Sequence, residues 1–144
     1  KLSTFEKHKN KNIAITVDFS SADEKALQHA INLGGKDAKY TLIHVVETVG
    51  AMLYGNTIVD HETTIDEKLL HEYYQMLSDK GYEIDTKLGF GKPGKVISKI
   101  INEGDFDLLI MGTHGHHTFK DLLFGTTVDK VRHEIKIPLF LIKH

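Results

Sequence analysis

Cysteine is missing from this chain of 144 residues. That excludes a disulfide scaffold, a thiolate metal site and a cysteine nucleophile, and it fits a reducing cytoplasm. Arginine occurs once, as Arg132. Nucleic-acid binders draw on arginine for bidentate contacts to phosphate and guanine, so DNA and RNA are not expected partners. An excess of one charge sign is lacking too. The formal net charge is −2, too small to gather nucleic acid or an anionic membrane around the surface. No apolar run approaches the roughly 18 residues of a membrane span, so direct membrane insertion is not expected. No signal peptide is recognisable. The hydrophobic share of 40% and the charged share of 26% suit a soluble globular chain. The length suits one domain with a sizeable core.

The chain opens on Lys1 without methionine, and KLSTFEKHKNKN is rich in lysine. Residues 1–11 read as a solvated lead-in or linker, and 12–144 as the domain. This raises the expectation of a domain cut from a longer protein, such as a membrane transporter or sensor to which it stays tethered.

Apolar runs alternate with helical patterns. NIAITVDF reads as a buried strand ending in an acid. In SSADEKALQHAINLGG, Ser21 and Glu24 have capping-box spacing, Ala26, Leu27, Ala30 and Ile31 share a face, and Gly34 supplies the stop. YTLIHVVE is a second strand. After a polar stretch from Thr48 to about Thr64, Ile65, Leu69, Leu70, Tyr73, Met76 and Leu77 recur at helical spacing. YEIDTKLGF alternates strictly, as a half-exposed edge strand does. A helix with Val96, Ile97, Ile100 and Ile101 on one face follows, then the strand DLLIMG. Phe124, Val128, Val131 and Ile135 predict a last helix, and IPLFLIK a fifth strand. This order predicts an α/β fold with a parallel sheet covered on both faces. Ligands of such sheets bind beyond the strands' carboxyl ends, where strand order reverses.

Two glycine-rich stretches compete for a phosphate. GFGKPGKV, residues 89–96, nearly spells both a phosphate loop and a dinucleotide fingerprint. A phosphate loop needs a hydroxyl where Val96 stands, and Pro93 removes an amide where one should donate. The dinucleotide fingerprint belongs in the first strand–helix turn, with an acid ending the next strand; here that strand ends in Met111-Gly112. The stretch reads instead as a tight connection with Pro93 at a helix start. The better candidate is GTHGHHTFKDLLFGTTVDKV, after the fourth strand. Gly112 and Gly115 allow close approach to backbone at a strand end. Gly125, Thr126 and Thr127 stand at a helix start, with free amides and hydroxyls suited to an anion. The bland alternative is that the first two are turn glycines and Thr126 a helix cap.

The pattern G-x2-G-x9-G-[ST] resembles the ATP-binding signature of the universal stress protein family. AITVDFSSADEKAL, LIHVVE, GKPGKVISKIINEGDFDLLIMGTHG and IPLFLIK are similar to successive parts of that family, over nearly the whole chain. Gly91 and Pro93 match its recurrent G-x-P turn. The resemblance implies a single-domain, three-layer α/β sandwich of the Rossmann-like adenine-nucleotide alpha hydrolase type. Its five-stranded parallel sheet would have the order 3-2-1-4-5. It implies ATP, AMP or another adenine nucleotide as ligand, with Mg2+ or Mn2+ carried by the phosphates. Carried over position by position, Asp18 looks like the acid near ribose and adenine. Val17 and Val45 would line the adenine slot, and Met111 would border the base. Gly112, Gly115, Gly125, Thr126 and Thr127 would hold ribose and phosphates. Phe19 stands where many members have glycine and would narrow the pocket mouth. The last strand commonly forms a dimer contact in the family, so a cytoplasmic homodimer is expected; the bland alternative is an edge blunted by Pro138 and Lys143.

Three readings remain open from the residues. In the first, the domain is a nucleotide-dependent regulatory module with slow or no hydrolysis. In the second, it is a pure interaction module. In the third, His114, His116 and His117 hold a metal that assists ATP cleavage. No carboxylate or cysteine at ligand spacing supports the third reading. No G-x-S-x-G elbow surrounds Ser20 and Ser21, which read as helix-capping residues.

Overall fold

A computed structural model describes residues 11–47, 61–112 and 126–143. Along the chain come β1 (Asn12–Thr16), α1 (Ala22–Gly34), β2 (Lys39–Val46), α2 (His61–Asp79) and β3 (Glu83–Phe90). There follow α3 (Pro93–Glu103), β4 (Leu108–Gly112), α4 (Thr126–Glu134) and β5 (Leu139–Ile142). The strands form one parallel sheet in the order β3-β2-β1-β4-β5, as the family resemblance implied. β1 is central, with Thr16 opposite Ile43 of β2 and Ile15 opposite Ile110 of β4.

The inner strands read as unbroken apolar runs because helices cover both faces. Ile13, Ile15, Val17, Leu42 and Ile110 turn toward α1 and α2. Ala14, Ile43, Val45, Leu109 and Met111 turn toward α3 and α4. β3 lies at one edge. Its Glu83, Asp85 and Lys87 are exposed, while Ile84 and Leu88 pack on the core.

Two helices depart from their sequence reading. The capping box expected at Ser21 does not form. Ser21 already has helical angles (φ −61°, ψ −20°) and makes no side-chain cap hydrogen bond. An N-cap needs extended geometry to bring its oxygen to the N2 or N3 amide. In α2, Ile65 and Met76 are exposed, although the apolar pattern puts them on the inner face. The stripe turned inward is Thr63, Asp66, Leu70, Tyr73 and Leu77, spaced by three and four residues. Three side chains with polar groups, Thr63, Asp66 and Tyr73, therefore share this stripe with two leucines. Among the described residues, no helix is long and apolar enough to cross a membrane.

The GFGKPGKV stretch is structural. Gly91, at φ +124°, donates its amide to Val46 O at 3.1 Å and so extends the sheet. Pro93 begins α3 after an extended Lys92. The amide of Val96 closes the first helical bond onto Lys92 O at 3.0 Å.

Candidate functional site

The chain turns sharply after β1, and two carboxyl groups shape the turn. Asp23, in the first turn of α1, points back toward the strand. It accepts from the amides of Asp18 (3.3 Å) and Phe19 (2.7 Å). Tyr73 of α2 donates its phenol to Asp23 Oδ2 at 2.9 Å. Asp18 accepts from both the amide (3.1 Å) and the hydroxyl (2.6 Å) of Ser20. Asp23 is only 4% exposed. Burial pushes its carboxyl up to about 7, and the Asp18 charge adds to the rise, against the pull of its three hydrogen bonds. Burial also raises the Tyr73 phenol, helped by the neighbouring Asp23.

His44, buried in β2, secures the turn from the other side. Its Nδ1 lies 2.8 Å from Val17 O, and its Nε2 lies 2.8 Å from Asp66 Oδ2 of α2. A carbonyl only accepts, so Nδ1 carries the hydrogen. Nε2 faces the Asp66 carboxyl group within hydrogen-bond distance.

Phe19 sits at φ +65°, in the left-handed region that suits glycine. Its ring packs inward rather than across the crevice mouth. It lies between His44, at 4.5 Å between centroids, and Tyr73, met edge-on at 5.4 Å. Ring contacts of this kind hold a backbone conformation that costs roughly 1–2 kcal/mol for a residue with a Cβ. Phe19→Ala keeps that strain and loses the ring, whereas Phe19→Gly loses both. The glycine variant is therefore expected to be more stable than the alanine variant by about 1 kcal/mol. Urea denaturation of the two checks this ordering, which is the reverse of the usual rank of these residues.

The other sequence-predicted residues fall around this turn. Val17 is 2% exposed and gives its amide to Ile43 O at 2.9 Å. With its carbonyl held by His44, its backbone is engaged on both sides. Val45 is placed differently. Ile43 turns its backbone groups toward β1, and Val46 turns its own toward Gly91 beside β3. Backbone direction alternates along a strand, so Val45 faces the β1 side, beyond the point where β1 ends. Gly112 ends β4 alongside; a Cβ there would lie 3.5 Å from Ala22 Cβ at the start of α1. The β1 turn and the β4 end thus lie side by side at the carboxyl edge of the sheet. Met111 is fully buried, with its side chain in the α3–α4 layer. Thr126 and Thr127 begin α4, and Thr127 lies beside Gly94 at the start of α3, 3.4 Å from where its Cβ would be. Gly115, Gly125 and the histidines at 114, 116 and 117 lie outside the described residues. Among the described residues, no group of three or more histidine, aspartate or glutamate side chains could hold a metal.

Sequence reasoning did not assign Asp23, His44, Asp66 or Tyr73 to the site. One signal was available. Asp66 and Tyr73 recur two turns apart on the stripe that also carries Leu70 and Leu77, where a core helix would carry apolar residues.

The fold defines a doubly wound α/β domain whose strand order reverses between β1 and β4, the switch point where such sheets commonly take ligands. A universal stress protein family model matches residues 9–143, and the chain belongs to that family. It is 28% identical over 139 residues to universal stress protein MJ0531 of Methanocaldococcus jannaschii, covering 92% of this chain and 82% of that one. The solved structure of MJ0577 superposes with a TM-score of 0.78 at 25% identity, covering 95% of this chain and 98% of that one. A universal stress protein from Archaeoglobus fulgidus, solved in complex with dAMP, shares the fold. Its TM-score is 0.66 at 20% identity, over 94% of this chain and 100% of that one.

Proposed function

We propose that this domain, spanning residues 12–144 behind a lead-in over 1–11, is a cytoplasmic, nucleotide-dependent regulatory module. Its ligand is ATP, with AMP or another adenine nucleotide as close alternatives. The observation that carries this reading is a convergence of backbone at one sheet edge. The β1 turn, the backbone of Val45 and the Cβ-less Gly112 converge at the switch point of the sheet. The dAMP complex of a relative with the same fold supports an adenine nucleotide there.

In this reading the base lies against Val17 and Val45 with Met111 beneath, and Asp18 meets the ribose. Gly112, Gly115, Gly125, Thr126 and Thr127 receive the phosphates at a helix start, where amides and the helix dipole favour an anion. Mg2+ or Mn2+ arrives with the phosphates. Occupancy changes the surface presented to partners. Hydrolysis is slow or absent. Fast phosphoryl transfer uses an arginine to meet developing charge. The sole arginine here, Arg132, is in the last turn of α4 and bonded to Asp129 at 2.7 Å on the solvent side. The module pairs with a second copy through β5, an edge strand that exposes Phe140 and Leu141.

Calorimetric titration with ATP and magnesium tests the reading. We expect saturable one-site binding that is lost in Gly125→Val. A flat trace for the parent, or a Gly125→Val protein that binds equally well, overturns it.

A further inference from the structure

We propose that Tyr73 and Asp66 of α2 are positioning residues for the nucleotide: acting through Asp23 and His44, they hold the Val17–Phe19 turn and so set where Asp18 meets the ribose. The inference rests on the nucleotide reading above and adds to it a specificity device outside the glycine motif.

Tyr73 and Asp66 are seven residues apart, two helical turns on one face, separated by about 10 Å along the axis. From these two points α2 takes hold of three consecutive residues. Asp66 bonds His44 at 2.8 Å, and His44 bonds the Val17 carbonyl at 2.8 Å. Tyr73 bonds Asp23 at 2.9 Å, and Asp23 bonds the amides of Asp18 and Phe19. The Phe19 ring fills the space between the two relays, touching His44 on one side and Tyr73 on the other. Ser20 then fixes the Asp18 carboxylate relative to that backbone.

Stability alone is a poor reason for this arrangement. Well-packed apolar residues at such buried positions commonly serve a fold as well as or better than paired polar ones. What polar relays add is orientation. They fix specific backbone atoms, at a turn whose Phe19 conformation is itself strained. A ligand-facing group must be held to within about 0.5 Å to be effective, and that precision comes from side chains behind it.

The test compares three probes by calorimetry: ATP, 2′,3′-dideoxy-ATP and inorganic tripolyphosphate. The parent is expected to prefer ATP over the dideoxy compound. In Tyr73→Phe and Asp66→Ala, ATP affinity should fall about tenfold and the preference should collapse toward one. Tripolyphosphate, which meets only the 112–127 side, should bind as before. Asp66→Asn keeps a hydrogen-bond partner for His44, its amide N–H donating to Nε2, and should restore the preference. Tyr73→Phe keeps the ring against Phe19, so it should melt cooperatively. A Tyr73→Phe or Asp66→Ala protein that retains the parent's preference overturns the positioning role, as does one that loses all three probes equally, or an Asp66→Asn protein that behaves like Asp66→Ala. A parent that binds ATP without preferring it to the dideoxy compound also overturns that role alone. A parent silent toward ATP overturns the nucleotide reading itself, and this inference with it.

Discussion

Asp23→Ala is expected to lower folding stability by about 3 kcal/mol at pH 5, measured by urea denaturation. The substitution strands two backbone amides and one phenol in a place that is 4% exposed for the residue they now bond. Each buried donor left without an acceptor costs roughly 1 kcal/mol or more. Set against a typical total of 5–15 kcal/mol, the loss is large. Asp23→Asn should cost far less, because the amide is the same size and still offers an acceptor.

The same pair exposes a pH dependence. The Asp23 carboxyl is raised from 3.8 to about 7, first by burial and then by Asp18. Between about pH 4 and pH 7 the folded protein keeps a proton here that the unfolded chain has released. The stability this group contributes is complete below about pH 4 and is lost as pH rises through about 7. The decline is at most about 1.4 kcal/mol per pH unit. Asp23→Asn does not titrate, so it should gain on the parent as pH rises across that window. Identical slopes for parent and Asn variant would place the pH dependence elsewhere.

Gly89→Ala is expected to lower stability by about 2 kcal/mol while leaving ATP affinity unchanged. Gly89 ends the face of β3 that meets α3. A Cβ there would lie 2.3 Å from Val96 Cγ1, with Ile100 and Val45 close behind. Val96 is β-branched and has little rotamer freedom in a helix, so it does not swing aside cheaply. A phosphate loop would behave in the opposite way, losing ligand affinity with stability nearly intact. Thermal denaturation and ATP calorimetry on this one variant therefore separate the two roles of GFGKPGKV. An unaltered melting point with weakened ATP binding would contradict the structural role.

Local pattern carried much of this molecule. The apolar runs around Ile13, Leu42 and Leu109 announce strands because both sheet faces are covered. The strict alternation from Tyr82 to Phe90 announces an edge because one face is half open. Pro93 marks the start of α3 because its missing amide is harmless there. Where local pattern misled, a tertiary contact had won. Ser21 and Glu24 have the spacing of a capping box, yet Asp23 closes the turn because a strand end and a helix from elsewhere meet it there. Ile65 and Met76 look like core residues, yet α2 is rotated so that Asp66 and Tyr73 point inward to partners it could not find along its own length.

Element type and order follow from interactions within a few residues, and those are written in the chain as period and punctuation. The relays behind Asp18 join positions 22 and 50 residues apart, His44 to Asp66 and Asp23 to Tyr73. No local period records such a pairing. Nor does composition reveal that a buried carboxyl near neutrality and a strained Phe19 would share one turn. Those features exist because three layers of helix and sheet converge on a single strand end, and only their packing brings the partners within bonding distance.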